Sequence, residues 1–271
     1  MEIAEALLLW LAIIIYVVVG SIAIISVVMG KRPERTVLSL LVLGLLLHAI
    51  AIGLRWVHLG HGPYLTMFEI LSSNIWSLLF IFTLAYWRFP SIRPIAAVVV
   101  PILFTMMGWL LLTDRDPGHL PPTYNTVWLV IHIVFGKIFL GAVLVAVGMS
   151  GVLLLRAAGI GVRRFARLPD DRHLDELAYR FMAIGFIFET LMLIAGAIWA
   201  QDAWGRYWAW DPLETSSLIT WVVLAFALHL RLTLKPAPRR GAILIMTVFV
   251  LAFLTFFGVP FISKVPHQGA I

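Results

Sequence analysis

The sequence predicts an all-α, polytopic membrane protein of about eight transmembrane helices with an outward-facing, amphipathic, tryptophan-rich segment. Three observations lead there. The chain has 271 residues, 62% of them hydrophobic and only 13% charged, with a mean hydropathy of +0.99, unlike a domain with a solvated surface. Apolar runs of about 20 residues, long enough to cross a bilayer core as a helix, recur near 3–29, 36–54, 70–87, 94–113, 127–155, 177–200, 214–230 and 241–260. Basic residues gather in alternate connections between those runs.

Each run must be helical, because a lipid-exposed segment of this kind satisfies its backbone polar groups only from within. The first, EIAEALLLWLAIIIYVVVGSIAIISVVM, lacks a basic leader and exceeds a cleavable signal in length, so it reads as a retained span. Prolines fall at connections (Pro90, Pro94, Pro121, Pro122, Pro236, Pro238), with Pro101 predicted to kink the fourth span. No soluble insertion, short repeat or low-complexity tract interrupts the pattern. Residues 1–271 therefore read as a single transmembrane domain.

The net charge of +6 has a directional distribution. Lys31, Arg32 and Arg35, then Arg88 and Arg93, then Arg156, Arg163, Arg164, Arg167 and Arg172, then Arg231, Lys235, Arg239 and Arg240 place 14 of the 20 basic residues on one side. The opposite connections and the tail hold Arg55, Arg115, Arg206 and Lys264. The positive-inside rule then puts the basic loops in the cytoplasm, and both termini and the tryptophan segment outside. The charge marks topology and a lipid bilayer as partner; it excludes a nucleic-acid face. With no cysteine, the chain has no thiol chemistry of its own.

The segment 201–217 holds WGRYWAWDPLE, four aromatic residues within seven positions. If it is helical, Trp204 and Trp208 share one face, with Tyr207 and Trp210 beside them and Gly205 allowing close approach. Such a flat aromatic shelf suits a planar apolar ligand with polar edges, such as a porphyrin. The alternative is an interfacial aromatic belt, although belt residues are normally scattered one per helix end. Asp211-Pro212-Leu213-Glu214 has the form of a helix start: acid at N-cap, proline at N1, glutamate at N3 reaching back. Asp211 is therefore either a cap or a site residue.

Of the eight histidines, His132 lies about one turn inside the outer end of the fifth span and His267 lies in the outer tail. Two imidazoles on one side are a candidate axial pair for haem iron. His229, two residues before Arg231, is an ionisable residue in a span and hence a functional candidate, unless it snorkels to the interface. His48 lies deep in the second span at a different depth. His58, His61, His119 and His173 read as solvated loop residues. Lys137 and Glu189 fall inside spans without a nameable partner.

The stretch GAIWAQDAWGRYWAWDPLETSSLITWVVLAFALHLRL, with LDELAYRFMAIGF and RWVHLGHGPYLTMFEILSSNIW, closely resembles the "WWD" signature of the CcsA (ResC) cytochrome c biogenesis proteins, relatives of CcmC and CcmF. The resemblance runs over most of the chain. It implies a System II haem lyase subunit that binds haem b at the outer face of the bacterial cytoplasmic membrane and presents it for thioether attachment to CxxCH motifs of apocytochromes c. It also implies a CcsB (ResB) partner, thiol-reducing thioredoxin-like proteins, and possible haem translocation by the same assembly. His132 and His267 match the family's outer axial ligands, and His229 matches a haem ligand within the membrane whose counterpart comes from the partner. Trp204, Tyr207, Trp208, Trp210, Gly205 and Asp211 match the signature. The chain departs from the family where DPLETS stands for DPKETW and LTMFEI for SNMYES. Competing readings are a b-type electron-transfer subunit, CcmC-like haem delivery without ligation, and a transporter without haem.

Overall fold

The structure is a computed structural model describing residues 2–31, 33–118, 120–160 and 162–262, with residues 261 and 262 described by backbone alone. Eight described helical stretches are long and apolar enough to cross a membrane, matching the predicted spans in number and order. By its internal contacts the chain splits into two compact units, Met1–Leu120 with Leu155–Asp170, and Pro121–Leu154 with Asp171–Ile271.

The first unit contains α1 (Glu2–Met29), α2 (Glu34–Leu59), α3 (Met67–Arg88), a 3₁₀ turn (Pro90–Ile95) and α4 (Ala96–Leu110). Tight apposition of α1 and α2 depends on Gly44, where an added Cβ would lie 2.6 Å from the Tyr16 ring. Helix α4 runs on through Pro101, so the predicted kink does not end it. Helix α2 extends five residues beyond the predicted boundary, which draws Arg55 into the helix and into a buried network. Its guanidinium donates to Glu69 (3.1 Å), Glu5 (3.4 Å) and the Arg115 carbonyl (3.0 Å), over the face of Phe68. Glu69 also completes a capping box with Thr66 at the start of α3. Arg55, an exception to the charge asymmetry, is thus neutralised inside the fold and does not act as a free surface cation.

His48 is fully buried, within 3.0 Å of the Ser72 hydroxyl and 3.5 Å of the Tyr16 hydroxyl. Both ring nitrogens have neighbours, so its place is structural.

The second unit contains a short 3₁₀ turn (Pro122–Tyr124), α5 (Val127–Ala157, whose last residues belong to the first unit), α6 (Asp171–Trp204), α7 (Pro212–Thr233), α8 (Pro238–Phe253), a π turn (Leu254–Gly258) and α9 (Val259–Ile262). Helix α6 has 34 residues, about 51 Å at 1.5 Å per residue, well beyond the roughly 30 Å hydrocarbon core. It takes His173 into its first turn, where the sequence predicts a loop. At one end α6 and α7 are tied by an Arg231–Asp175 ion pair at 2.6 Å, with Arg231 over the Tyr179 ring. The π turn sets the Thr255 hydroxyl 3.0 Å from that of Thr220, both buried, joining the last span to α7.

Candidate functional site at the aromatic end of the second unit

The first turns of α5, the last turns of α6 and the start of α7 carry most of the chemistry the sequence singles out. His132 sits five residues into α5, about 7.5 Å from its end. Its Nδ1–H donates to the Met192 carbonyl on α6 at 2.9 Å. A protonated Nδ1 held by a carbonyl leaves the lone pair on Nε2, the tautomer a metal ligand needs, and fixes the plane of the ring. The ring can approach α6 so closely because residue 196 is glycine: a Cβ there would lie 2.7 Å from Nδ1 and 3.0 Å from Cε1.

One turn further along α6, Trp199 faces the same imidazole, with ring centroids 6.2 Å apart and planes 31° from parallel. Trp199 is 3% exposed, and its indole N–H donates to the Thr123 carbonyl at 3.0 Å. Tyr124 packs edge-on against it at 5.3 Å, and Trp204 edge-on at 5.0 Å. Burial raises the Tyr124 phenol above its ordinary pKa, so it stays neutral throughout the physiological range. Trp199, Gly196, Met192 and Tyr124 are site residues that sequence reasoning missed. No periodicity in the sequence singles them out, because their contact with His132 is set by the register between α5 and α6.

Between Trp204 and Pro212 the tryptophan segment is not helical. Helix α6 ends at Trp204, and Gly205 follows in the left-handed region (φ 74°), its N–H returning to the Gln201 carbonyl. Glycine at this position is a common helix stop. Trp204 and Trp208 therefore do not share a helical face, and the flat shelf expected from their spacing is replaced by edge-on pairs. Trp204 packs on Trp199, and Trp208 on Trp210 at 5.8 Å and 81°. Tyr207 and Trp210 are exposed, at 61% and 70%. Trp210 has φ 60°, uncommon for a residue with a bulky side chain. Two bonds hold it there. The Ala209 N–H donates to the Glu214 carboxylate at 2.7 Å, and the Thr215 hydroxyl donates to the Trp210 carbonyl at 3.2 Å.

Asp211 is the N-cap of α7, its carboxylate accepting from the Glu214 N–H at 2.8 Å, with Pro212 at N1. Glu214 reaches back as expected, but past the cap to residue 209. The acids thus brace the tryptophan loop from the helix below. Asp211→Ala is expected to cost about 1 kcal/mol of stability, and Asp211→Asn, an equally good cap, much less. A thermal melt of the purified protein checks this; an equal loss in both variants would contradict the capping role.

Other predicted positions lie elsewhere. His229 is exposed on α7, two residues from the anchored Arg231. His267 and His119 lie outside the described residues. His58 pairs with Glu2 at 3.3 Å. His61, expected to be solvated, is only 8% exposed, its Nδ1 2.9 Å from the Gly62 carbonyl under the Tyr64 ring; the turn after α2 folds back over it. Glu189 is fully buried, and neither carboxylate oxygen has a hydrogen-bond partner among the described residues.

Comparison with known proteins identifies the family. The cytochrome C assembly protein family matches residues 42–267, a range that contains both units' later helices and the whole aromatic site. A cytochrome c biogenesis protein CcsA of Guillardia theta is 32% identical over 246 residues, 81% of this chain and 80% of its own length. One from Trieres chinensis is 29% identical over 266 residues, 85% of each chain. Among solved structures, the cytochrome c heme lyase CcmF superposes with a TM-score of 0.74 at 17% identity, covering 94% of this chain but only 46% of that one; it shares the fold. The chain, a multi-pass membrane protein acting in cytochrome c biogenesis, belongs to the cytochrome C assembly protein family and is of the CcsA type.

Proposed function

We propose that the aromatic end of the second unit faces outward from a bacterial cytoplasmic membrane, binds haem b, and presents it for covalent attachment to CxxCH motifs of apocytochromes c. A CcsB/ResB-type protein completes the assembly. The reading is carried by His132, whose Nδ1–H bond to Met192 directs the lone pair to Nε2 beside a cluster of aromatic rings. A second observation fits a porphyrin with carboxylate edges: among the described residues the buried indole N–H of Trp208 has no acceptor. His132 and His267 are the proposed axial pair. Trp204, Tyr207, Trp208 and Trp210 are the proposed contacts, with Gly205 and Asp211 shaping their loop. Haem supplies the vinyl groups as substrate.

The work left to the chain is orientation and exclusion of competing reactions. A cysteine thiol of the apocytochrome adds across a vinyl C=C: the S–C bond forms, the π bond breaks, and the thiol proton ends on the neighbouring vinyl carbon. The addition is redox-neutral but requires reduced thiols, which is the part given to thioredoxin-like partners. A chain without cysteine offers no competing nucleophile of that kind. His229, exposed on α7, is the proposed ligand at a membrane-level haem site completed by the partner.

The test is reconstitution of the chain and a CcsB-type partner with haem and a reduced CxxCH apocytochrome, followed by haem staining after denaturation. Covalently stained apocytochrome is expected. Haem that stays on the membrane protein and cycles with quinone would overturn the reading in favour of an electron-transfer subunit.

A further inference from the structure

The first unit has a cavity of about 670 Å³ where the α1–α2 turn, the 3₁₀ turn 90–95 and the 155–170 connection meet. Its size lies within the range of small-molecule sites. Lys31, Arg163, Arg164 and Arg167 line it together with the apolar side chains of Val28 and Met29. Among the described residues no carboxylate lies within ion-pair distance of any of those four cations. The carboxylate in the wall, Glu34, is already bound by Arg93 at 2.6 Å, and Arg93 in turn lies over the Tyr86 ring. The cavity therefore carries about four uncompensated positive charges against a partly apolar wall.

A general cytoplasmic bias toward basic residues explains the sign of the charge but not its convergence on one concavity. Nor is the cationic connection loosely attached. Arg156, at the end of α5, donates to the carbonyls of Phe165 (2.6 Å), Leu168 (3.2 Å) and Pro169 (2.9 Å). Phe165 and Leu168 are buried beneath it. The backbone carrying Arg163, Arg164 and Arg167 is thus gathered before any ligand arrives, which lowers the ordering cost of binding.

We propose that this cavity is a binding site for the phosphate headgroup of an anionic glycerophospholipid of the cytoplasmic leaflet, which joins the 155–170 connection to the α1–α2 turn. Clustered cations at the cytoplasmic end of transmembrane helices, next to apolar surface, match such a head with its acyl chains. Haem also bears carboxylates, but the lining holds no imidazole for its iron, so the phospholipid is the better fit. The site stands independently of the haem reading of the second unit.

Native mass spectrometry of the full chain in detergent, titrated separately with phosphatidylglycerol, phosphatidylcholine, inorganic phosphate and haem, tests this. Retained phosphatidylglycerol adducts are expected, with phosphatidylcholine about tenfold weaker or more. The Arg163→Gln/Arg164→Gln/Arg167→Gln variant should lose that preference, and Lys31→Gln, a single exposed change, should lose part of it. Arg239→Gln/Arg240→Gln, which removes two exposed cations outside the cavity, should keep it. Equal binding of the two lipids, equal loss in the Arg239/Arg240 control, displacement of lipid by inorganic phosphate at comparable concentration, or haem binding that is tighter and abolished by the same triple variant would each overturn it.

Discussion

Replacing His132 with glycine is expected to abolish covalent haem attachment to apocytochrome c while leaving the chain folded and membrane-inserted. The imidazole is half-buried and its Nδ1–H bonds to the Met192 carbonyl, so its removal deletes about 1 kcal/mol for that hydrogen bond together with its contact with the Trp199 ring. What is lost is the basic nitrogen in the aromatic cluster. Disturbing only the outer partner of a metal ligand costs about 10–100-fold in affinity, and deleting the ligand should cost more. Cytochrome c yield in cells carrying the variant, compared with membrane levels of the chain itself, separates the two effects. Normal yield would remove His132 from the site.

Gly196→Val is expected to disable the same function with His132 still present. A Cβ at 196 meets Nδ1 at 2.7 Å and Cε1 at 3.0 Å. Those atoms belong to a ring held by the Met192 carbonyl on the same helix, so the contact cannot be relieved at the flexible end of a side chain. The ring must swing away, breaking its hydrogen bond and turning Nε2 from its direction. A loss of about 10–100-fold in haem affinity follows, as for other disturbances of a ligand's outer partner, with Gly196→Ala intermediate. Visible absorption of the purified variants measures it. Wild-type haem content in Gly196→Val would show that the approach of α5 to α6 at this level is dispensable.

Much of this architecture was legible in the residues because the bilayer simplifies the problem. Runs such as 127–155 have no alternative to a spanning helix, and eight of them survive with boundaries shifted by a few residues. The Asp211-Pro212 start of α7 was legible for a local reason, since a cap is written within four residues. The aromatic face was misread where a single glycine decides the outcome: Gly205 takes a positive φ and ends α6, so the spacing of Trp204 and Trp208 is no longer a helical spacing. Trp199, Gly196 and Met192 were missed because their importance lies in the register between α5 and α6. That register joins residues some 60 positions apart, and no periodicity records it. His61 shows the opposite error, a loop position made internal by a turn folding over it.

The proposed role of His132 is to offer its Nε2 to haem iron among these rings. It is tested most directly by the visible spectrum of the chain purified with a CcsB-type partner, taken for wild type and for His132→Gly with and without added imidazole. Low-spin b-type haem is expected in the wild type, diminished in His132→Gly and restored by imidazole occupying the vacated space. A His132→Gly spectrum identical to wild type, or a colourless wild-type protein, would contradict the account.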